Sequence, residues 1–454
     1  MPATSSALAF ASGGRYRWLT LPILCLAVLI AQIDTAVVNL AVHPIRDAFN
    51  ASVGEMQWIV DSYNLVYAVL LLTGGLLADL YGRRLVFMIG AAIFAVASLA
   101  CAFAPSVAVL ICGRAATGIG AALLIPTSLA IIRVVWHDEA ERGRALGIWA
   151  ACNGLAFAIG PTLGGLLIQF FGWRSIFLLV VPLALAALAL SPATIPESAD
   201  PKDRHFDAMA QVLGAIALGC VAFAAIQAHT APTGAIAAAF AGLLAFWLFI
   251  RIERQKGHSA LVPLDIFQIR QFRSAAMATA GMTFGMYGAV FLLPLTWQSM
   301  GQLGPTAAGL ALMPMALVFV LVSSFSGALS KMLGARFMTG GGVGIIGCGL
   351  VVIGLSAGQA SVLLAEIGLT FTGLGMGLAT GPLMGAAVSA VKAARSGTAS
   401  ALINVARMTG ATVGVAVMGA AFALGHGGSQ GLLVAMLIGG IVQIGCAAFA
   451  WRSI

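Results

Sequence analysis

With 454 residues, 61% of them hydrophobic and only 8% charged, and a mean hydropathy of +1.03, the chain carries far more apolar side chain than one soluble core of this size can use. A water-soluble enzyme or binding domain is excluded, and the composition is that of a polytopic membrane protein. The formal net charge of +8 is accounted for by where the basic residues fall, as set out below, so it does not indicate a nucleic-acid partner.

Apolar runs of about 20 residues begin near Leu19, Gln57, Leu85, Ser106, Ala145, Ile176, Met209, Ala231, Arg273, Thr306, Phe337, Ser361, Ala399 and Gly431, which predicts about fourteen transmembrane helices. Period-two alternation is absent, so a β-barrel is not indicated. An even number of spans puts both termini on one side. Sorted by loop, the basic residues crowd that side, with Arg46 and Arg174 opposite and Arg114 and Arg407 inside spans. The positive-inside rule then predicts cytoplasmic termini and a multi-pass protein in the lipid bilayer. Seven cysteines stand singly in apolar runs and read as packing residues, neither disulfide partners nor metal ligands.

Residues 1–17 read as a polar cytoplasmic tail. The first span follows, too long for a signal peptide and without a clear cleavage site. At 1.5 Å per residue, Asp34 lies about 24 Å from its start, well inside the membrane. An ionisable group at that depth costs about 2.5 kcal/mol or more unless it meets a partner or a wet cavity, which makes Asp34 a functional candidate. The second span is predicted to enter near Trp58, an interfacial anchor. Asp61 follows one turn inside, as either a wet helix end or a cavity group, with Tyr63 and Tyr67 below it.

That span leaves through Gly75-Leu76-Leu77-Ala78-Asp79-Leu80-Tyr81-Gly82-Arg83-Arg84. Asp79 stands at a helix C-terminus, where the backbone dipole disfavours a negative charge, so it calls for a positive partner. A second stretch, Gly327 to Arg336, repeats the glycine and final arginine spacing with Lys331 in place of Asp79. Two copies, each after the second helix of a six-helix set, indicate an internally duplicated transporter.

These loops resemble the hallmark loop of the major facilitator superfamily. Leu80 departs from the basic residue usual after the aspartate. The resemblance runs over essentially the whole chain and narrows to the fourteen-span drug:proton antiporter family, known for multidrug efflux. It rests on Asp34-Thr35-Ala36-Val37-Val38-Asn39-Leu40-Ala41 in the first span and on Leu110, Arg114, Gly118 and Gly120 in the fourth. Gly160-Pro161-Thr162-Leu163-Gly164-Gly165 in the fifth, followed by Trp173-Arg174, also carries it, as do Gln298 after the ninth span and Asn404-Val405-Ala406-Arg407 in the thirteenth. The family implies an all-α fold of two six-helix bundles, here 18–194 and 273–454, with a linker and two extra helices at 195–272. It also implies a bacterial inner-membrane exporter driven by the proton gradient, without metal or other cofactor, acting as a monomer with the need for accessory efflux proteins left open. The fifth-span motif is associated with antiport through this resemblance alone. A cytoplasmic latch between Asp79 and the thirteenth span near Ser396-Gly397-Thr398 is likewise implied.

Arg114, about eight residues into a span that descends from outside, lies about 12 Å deep, the depth at which Asp34 arrives from the other side. Burial favours the protonated acid and an adjacent arginine favours the carboxylate, so a change in their separation would load and unload a proton. The alternative is a static pair fixing one helix to another. Gly160-Pro161 removes a backbone hydrogen bond, while Gly164 and Gly165 permit close helix contact. Substrate-cavity candidates are Asp61, Tyr63, Tyr67, Phe284, Met286, Tyr287, Trp297, Gln298 and Arg407, the aromatics for organic cations and flat hydrophobes and methionine for varied shapes. Gly342-Val343-Gly344-Ile345-Ile346-Gly347 fits a dinucleotide fingerprint by pattern but lies inside an apolar span, so close helix packing is the better reading. No complete P-loop, zinc motif or nucleophile elbow appears, which argues against an enzyme. The expectation is a proton-coupled exporter of lipophilic, cationic small molecules. The alternatives are a transporter of a neutral or anionic metabolite, with Arg114 and Arg407 on the anion, and a non-transporting receptor.

Overall fold

The computed structural model describes residues 14–200, 207–228, 231–256, 262–359, 362–392 and 395–453, with the side chains of residues 14–18, Lys331, Ser396 and Gly397 among those outside the description. Among the described residues, fourteen helices are long and apolar enough to cross a membrane. They are α1 (Gly14–Phe49), α2 (Val53–Tyr81), α3 (Arg83–Ala102), α4 (Val107–Val135), α5 (Glu139–Phe171), α6 (Ser175–Thr194), α7 (Ala208–Gln227), α8 (Pro232–Lys256) and α9 (Arg270–Ser299). Then come α10 in two pieces (Pro305–Ala311 and Met313–Leu333), α11 (a π turn Phe337–Gly341 running into Gly342–Leu355), α12 (Leu363–Ser389), α13 (Ser396–Leu424) and α14 (Gly428–Ser453). Helices satisfy every backbone group within the segment, the condition a lipid environment imposes. Both ends of the described chain lie on one face, called here the terminal face; the other is the distal face.

Short polar residues set the helix ends. Ser52 and Glu55 form a capping box, in which the Glu55 N–H donates to Ser52 Oγ at 3.2 Å and the Ser52 N–H donates to Glu55 Oε2 at 2.8 Å. This starts α2 at Val53, ahead of the expected entry near Trp58. Trp58 lies more than a turn into α2 and packs on Phe223 of α7, ring centroids 6.4 Å apart. Asp138 caps α5 by accepting the Glu141 N–H at 2.9 Å, and the charged residues that follow form the first turns of that helix. Gly82 (φ 112°) and Gly334 (φ 81°) close α2 and α10 in backbone conformations that favour glycine. The two duplicated loops therefore turn by the same device.

The packing repeats as the loops do. In the first bundle α2 packs on α4, α3 on α4 and α6, and α1 on α5 and α6. In the second, α10 packs on α12, α11 on α12 and α14, and α9 on α13 and α14. Two seams join the bundles, α2 against α13 and α5 against α10, which the duplication relates to each other, and α1 meets α9 between them. The inserted helix α7 breaks the symmetry. It packs along both α2 and α13, held by Gln211, whose side chain bonds the Thr73 hydroxyl and the Val69 carbonyl. Outside α7, α8 presents Phe240, Leu243, Leu244 and Trp247 outward, a face suited to lipid.

Among the described residues, the hydrogen bonds that cross between bundles lie in the distal half. Gln57 donates to Val415 O (3.1 Å) and Ala416 O (3.0 Å), Gln298 donates to Leu40 O (3.1 Å), and Thr306 donates to Gln169. The glycines of α5 make the same closure possible. A Cβ on Gly160 or Gly164 would press into Ala36 or Val37 of α1, while one on Gly165 would meet the backbone of Pro305 and Thr306 in α10. Pro161, inside α5, offers its carbonyl to the close approach of Gly309. The fifth-span motif is thus a two-sided packing surface, tight against α1 on one face and against the opposite bundle on the other. Gly342 and Gly347 pack against the backbones of α12 and α14 at Gly375 and Gly440, consistent with helix packing.

Candidate functional site

Asp34 and Arg114 form a buried ion pair, each with 1% of its side chain exposed. Arg114 is fixed on several sides. Its Nε donates to Ile59 O at 3.2 Å, its Nη1 donates to Asp34 and to Thr117 Oγ1 (3.4 Å), and its guanidinium lies 4.7 Å from the centroid of the Tyr63 ring. Tyr63 in turn donates its hydroxyl to Ala31 O at 3.3 Å. One carboxylate oxygen of Asp34, Oδ1, has no hydrogen-bond partner. Such a pair pins α1, α2 and α4 together, and separating it leaves a charge in an apolar surrounding, which costs several kcal/mol per ion.

Asp61 is fully buried, and neither of its oxygens is hydrogen-bonded. It shares the spacing i, i+4, i+7 with Gln57 and Asn64 and so lies on the α2 face that meets α13. Both side-chain polar atoms of Asn64, Thr412 Oγ1 and Arg407 Nε are also without partners. The α2–α13 seam therefore carries a row of unsatisfied polar groups beneath the Gln57 closure. A wet helix end is ruled out for Asp61. Arg407 is near enough for its charge to reach Tyr67 and Tyr287.

A narrow crevice lies between α1, α5 and α9, lined by Gln32, Thr35, Ala36, Asn39, Phe157, Met286, Tyr287 and Val290. The expected cavity group is split by this arrangement. Met286 and Tyr287 line the crevice, Tyr63 belongs to the ion pair, and Tyr67 faces Arg407. Phe284 is buried, its backbone packed against Gly414 of α13. Trp297 lines a separate pocket at the distal face with Thr296, Gln302 and Gln359, and Gln298 serves the cross-bundle closure. Both sit in the last turns of α9, too far along the helix to reach the crevice. Gln32, Thr35, Asn39 and Phe157 were not among the expected residues. The first three repeat at helical spacing along α1, a signal present in the sequence.

At the terminal face Asp79 finds its positive partner in Arg83, Oδ1 to Nη2 at 2.6 Å. Gly75 lies beside Pro126 of α4. The chain leaving α6 straps this loop: the Arg83 N–H donates to Ser198 O (2.8 Å), the Asp200 N–H donates to Asp79 O (2.9 Å), and Glu197 pairs with Arg84 at 3.6 Å. Of the expected latch between Asp79 and Ser396-Gly397-Thr398, the side chains of Ser396 and Gly397 lie outside the described residues.

The sequence profile of the Major Facilitator Superfamily matches residues 24–415. Multidrug resistance protein Stp of Mycobacterium tuberculosis is 33% identical over 90% of this chain and 76% of its own length. Multidrug efflux pump LfrA of Mycolicibacterium smegmatis is 34% identical over 89% and 81%, and the methylenomycin A resistance protein of Bacillus subtilis 33% over 94% and 92%. Among solved structures, a bacterial homologue of the human lysosomal transporter Spinster superposes with a TM-score of 0.73 at 18% identity, over 97% of this chain and 98% of that one. A D-xylose–proton symporter does so with a TM-score of 0.70 at 16% identity, over 97% and 98%. The fold, the fourteen apolar helices and these relatives together identify the chain as a membrane transporter, not an enzyme, and it belongs to the Major Facilitator Superfamily.

Proposed function

We propose that the protein is a proton-coupled exporter of lipophilic compounds in a bacterial inner membrane, with its terminal face in the cytoplasm and Asp34 as the coupling acid. The observation that carries this is the Asp34–Arg114 pair, an ionisable couple sealed inside the first bundle with one carboxylate oxygen left unpartnered. While the pair is closed the carboxylate is neutralised by the guanidinium. When a rearrangement within the first bundle parts α1 from α4 at this pair, a carboxylate without a counter-charge in an apolar core takes up a proton. Alternating access then carries that proton inward as substrate moves out. The basic loops of the terminal face support the orientation, and the names of the relatives support the class of substrate. A second carboxylate, Asp61, lies at the moving α2–α13 seam, where its environment changes as the seam opens.

The driving force is adequate. A proton moving down about 100 mV gains about 2.3 kcal/mol, and one pH unit adds about 1.4 kcal/mol. Together they sustain roughly a 500-fold gradient of a neutral substrate, whereas exchange for a monovalent cation uses only the pH part, about tenfold. One observation favours the neutral class over the cationic one: no ionised side chain lines the crevice. The test is uphill transport in proteoliposomes under an imposed pH gradient. Wild-type protein concentrates its substrate, and Asp34→Asn inserts but does not. Undiminished uphill transport by that variant rejects Asp34 as the coupling group.

A further inference from the structure

We infer that the crevice between α1, α5 and α9 is a binding site for a neutral, flat, lipophilic molecule carrying one hydrogen-bond donor, with Asn39 Oδ1 as the acceptor and the Phe157 ring as the stacking wall. The inference rests on the chain's reading as an exporter and names the chemistry its site selects.

Gln32, Thr35, Ala36 and Asn39 fall at i, i+3, i+4 and i+7, one face of α1, and all four line the crevice. Two of the donors on this face are spent on the helix itself. The Thr35 hydroxyl donates to Ala31 O at 2.8 Å and Asn39 Nδ2 donates to Thr35 O at 2.9 Å. Asn39 Oδ1 is left buried with no donor, on a residue only 2% exposed. A buried acceptor in that state favours any ligand that brings an N–H or O–H. The opposite wall is hydrophobic apart from Tyr287. Phe157 of α5 stands edge-on to Phe319 of α10, centroids 5.8 Å apart and planes at 78°, which fixes its ring, and Met286 and Val290 of α9 complete an apolar slot.

Charge separates this site from one for cations. Asp34 is turned to α4 and held by Arg114, and Asp61 lies on the α2 face toward α13, so neither carboxylate lines the crevice. A cation entering here would lose its hydration without gaining a counter-charge.

The test uses full-length protein in lipid nanodiscs and a matched pair of fluorescent probes. One is N-phenyl-1-naphthylamine, neutral and planar with a single N–H; the other is its N-methyl derivative, which lacks the donor. Wild-type protein is expected to bind the first about tenfold more tightly, the worth of one good hydrogen bond to a buried acceptor. Asn39→Leu should abolish the preference, and Phe157→Leu should weaken both probes while keeping their ratio. Equal affinities of wild-type protein for the two probes overturn the inference without any variant, and so does displacement of the first probe by tetraphenylphosphonium at lower concentration than by the N-methyl derivative. Because no proton gradient enters the measurement, these failures leave the coupling reading intact. Conversely, absent proton flux in liposomes removes the coupling reading without altering the probe ratio.

Discussion

Gly165→Ala should open the molecule at its distal face. A Cβ at this position would lie 2.7 Å from both Pro305 O and Thr306 Cα and 3.1 Å from Pro305 C, all backbone atoms of the opposite bundle that no rotamer change can move. Reaching an ordinary carbon contact of about 3.5 Å requires α10 to retreat by roughly 0.8 Å. Forced overpacking of this kind costs about 1–3 kcal/mol, and here the cost falls only on the state in which the bundles touch. An intermediate value of about 2 kcal/mol shifts the balance toward the distal-open state about 30-fold. The neighbouring Gly164→Ala is the control, because its Cβ would meet Val37 Cγ1 at 2.5 Å inside the first bundle and so lowers stability without favouring either state. Spin labels at Asn50 and Met300, at the distal ends of α1 and α9, report the distance between bundles. A long-distance population that rises in Gly165→Ala and not in Gly164→Ala is expected. A distribution in Gly165→Ala identical to that of wild type refutes the reasoning.

Gln57→Leu removes both side-chain bonds to Val415 and Ala416, about 0.5–1.5 kcal/mol each, and should move the same label distance in the same direction. Glu197→Ala deletes the acceptor of the Arg84 N–H (3.1 Å) and its ion pair, so limited proteolysis should cut faster between Ile195 and Asp200 with the helices intact. At the inserted pair, partial burial pushes the Asp207 carboxyl up, but hydrogen bonds from Lys256 Nζ (2.5 Å) and the Ala210 N–H, with the Lys256 charge, hold it below the usual carboxylate range. A depressed value means that this stabilisation is fully present above about pH 4, the ordinary Asp value, and is lost as pH falls through the lower folded value. The thermal midpoints of wild type and Asp207→Asn should therefore differ at pH 6 and converge in acid; a constant gap contradicts the assignment.

The architecture was largely legible in the sequence because apolar length and charge placement report on the bilayer directly. The Asp34–Arg114 contact was legible too, since helix rise alone puts both residues at one depth. The start of α2 was missed although Ser52 and Glu55 carry a capping-box signature, because the apolar pattern alone marks where hydrophobic residues begin and not where the backbone turns. Gln32, Thr35 and Asn39 share one face of α1, but helical spacing does not show whether that face meets a crevice, lipid or another helix. Gly164 and Gly165 look alike in sequence, yet one abuts its own bundle and the other its partner, a distinction that only tertiary packing decides. Trp58 and Gln211 depend in the same way on where α7 docks, and nothing local to either residue encodes that.

The account depends most on Asp34 being the group that ties proton movement to substrate movement. Its most direct test follows the pH inside proteoliposomes with trapped pyranine while a gradient of N-phenyl-1-naphthylamine is imposed. In wild-type vesicles the substrate gradient should drive a lumenal pH change, and in Asp34→Asn vesicles substrate should still run down its gradient with the pH unmoved. A pH response in the variant as large as that of wild type, at matched substrate flux, would contradict the account.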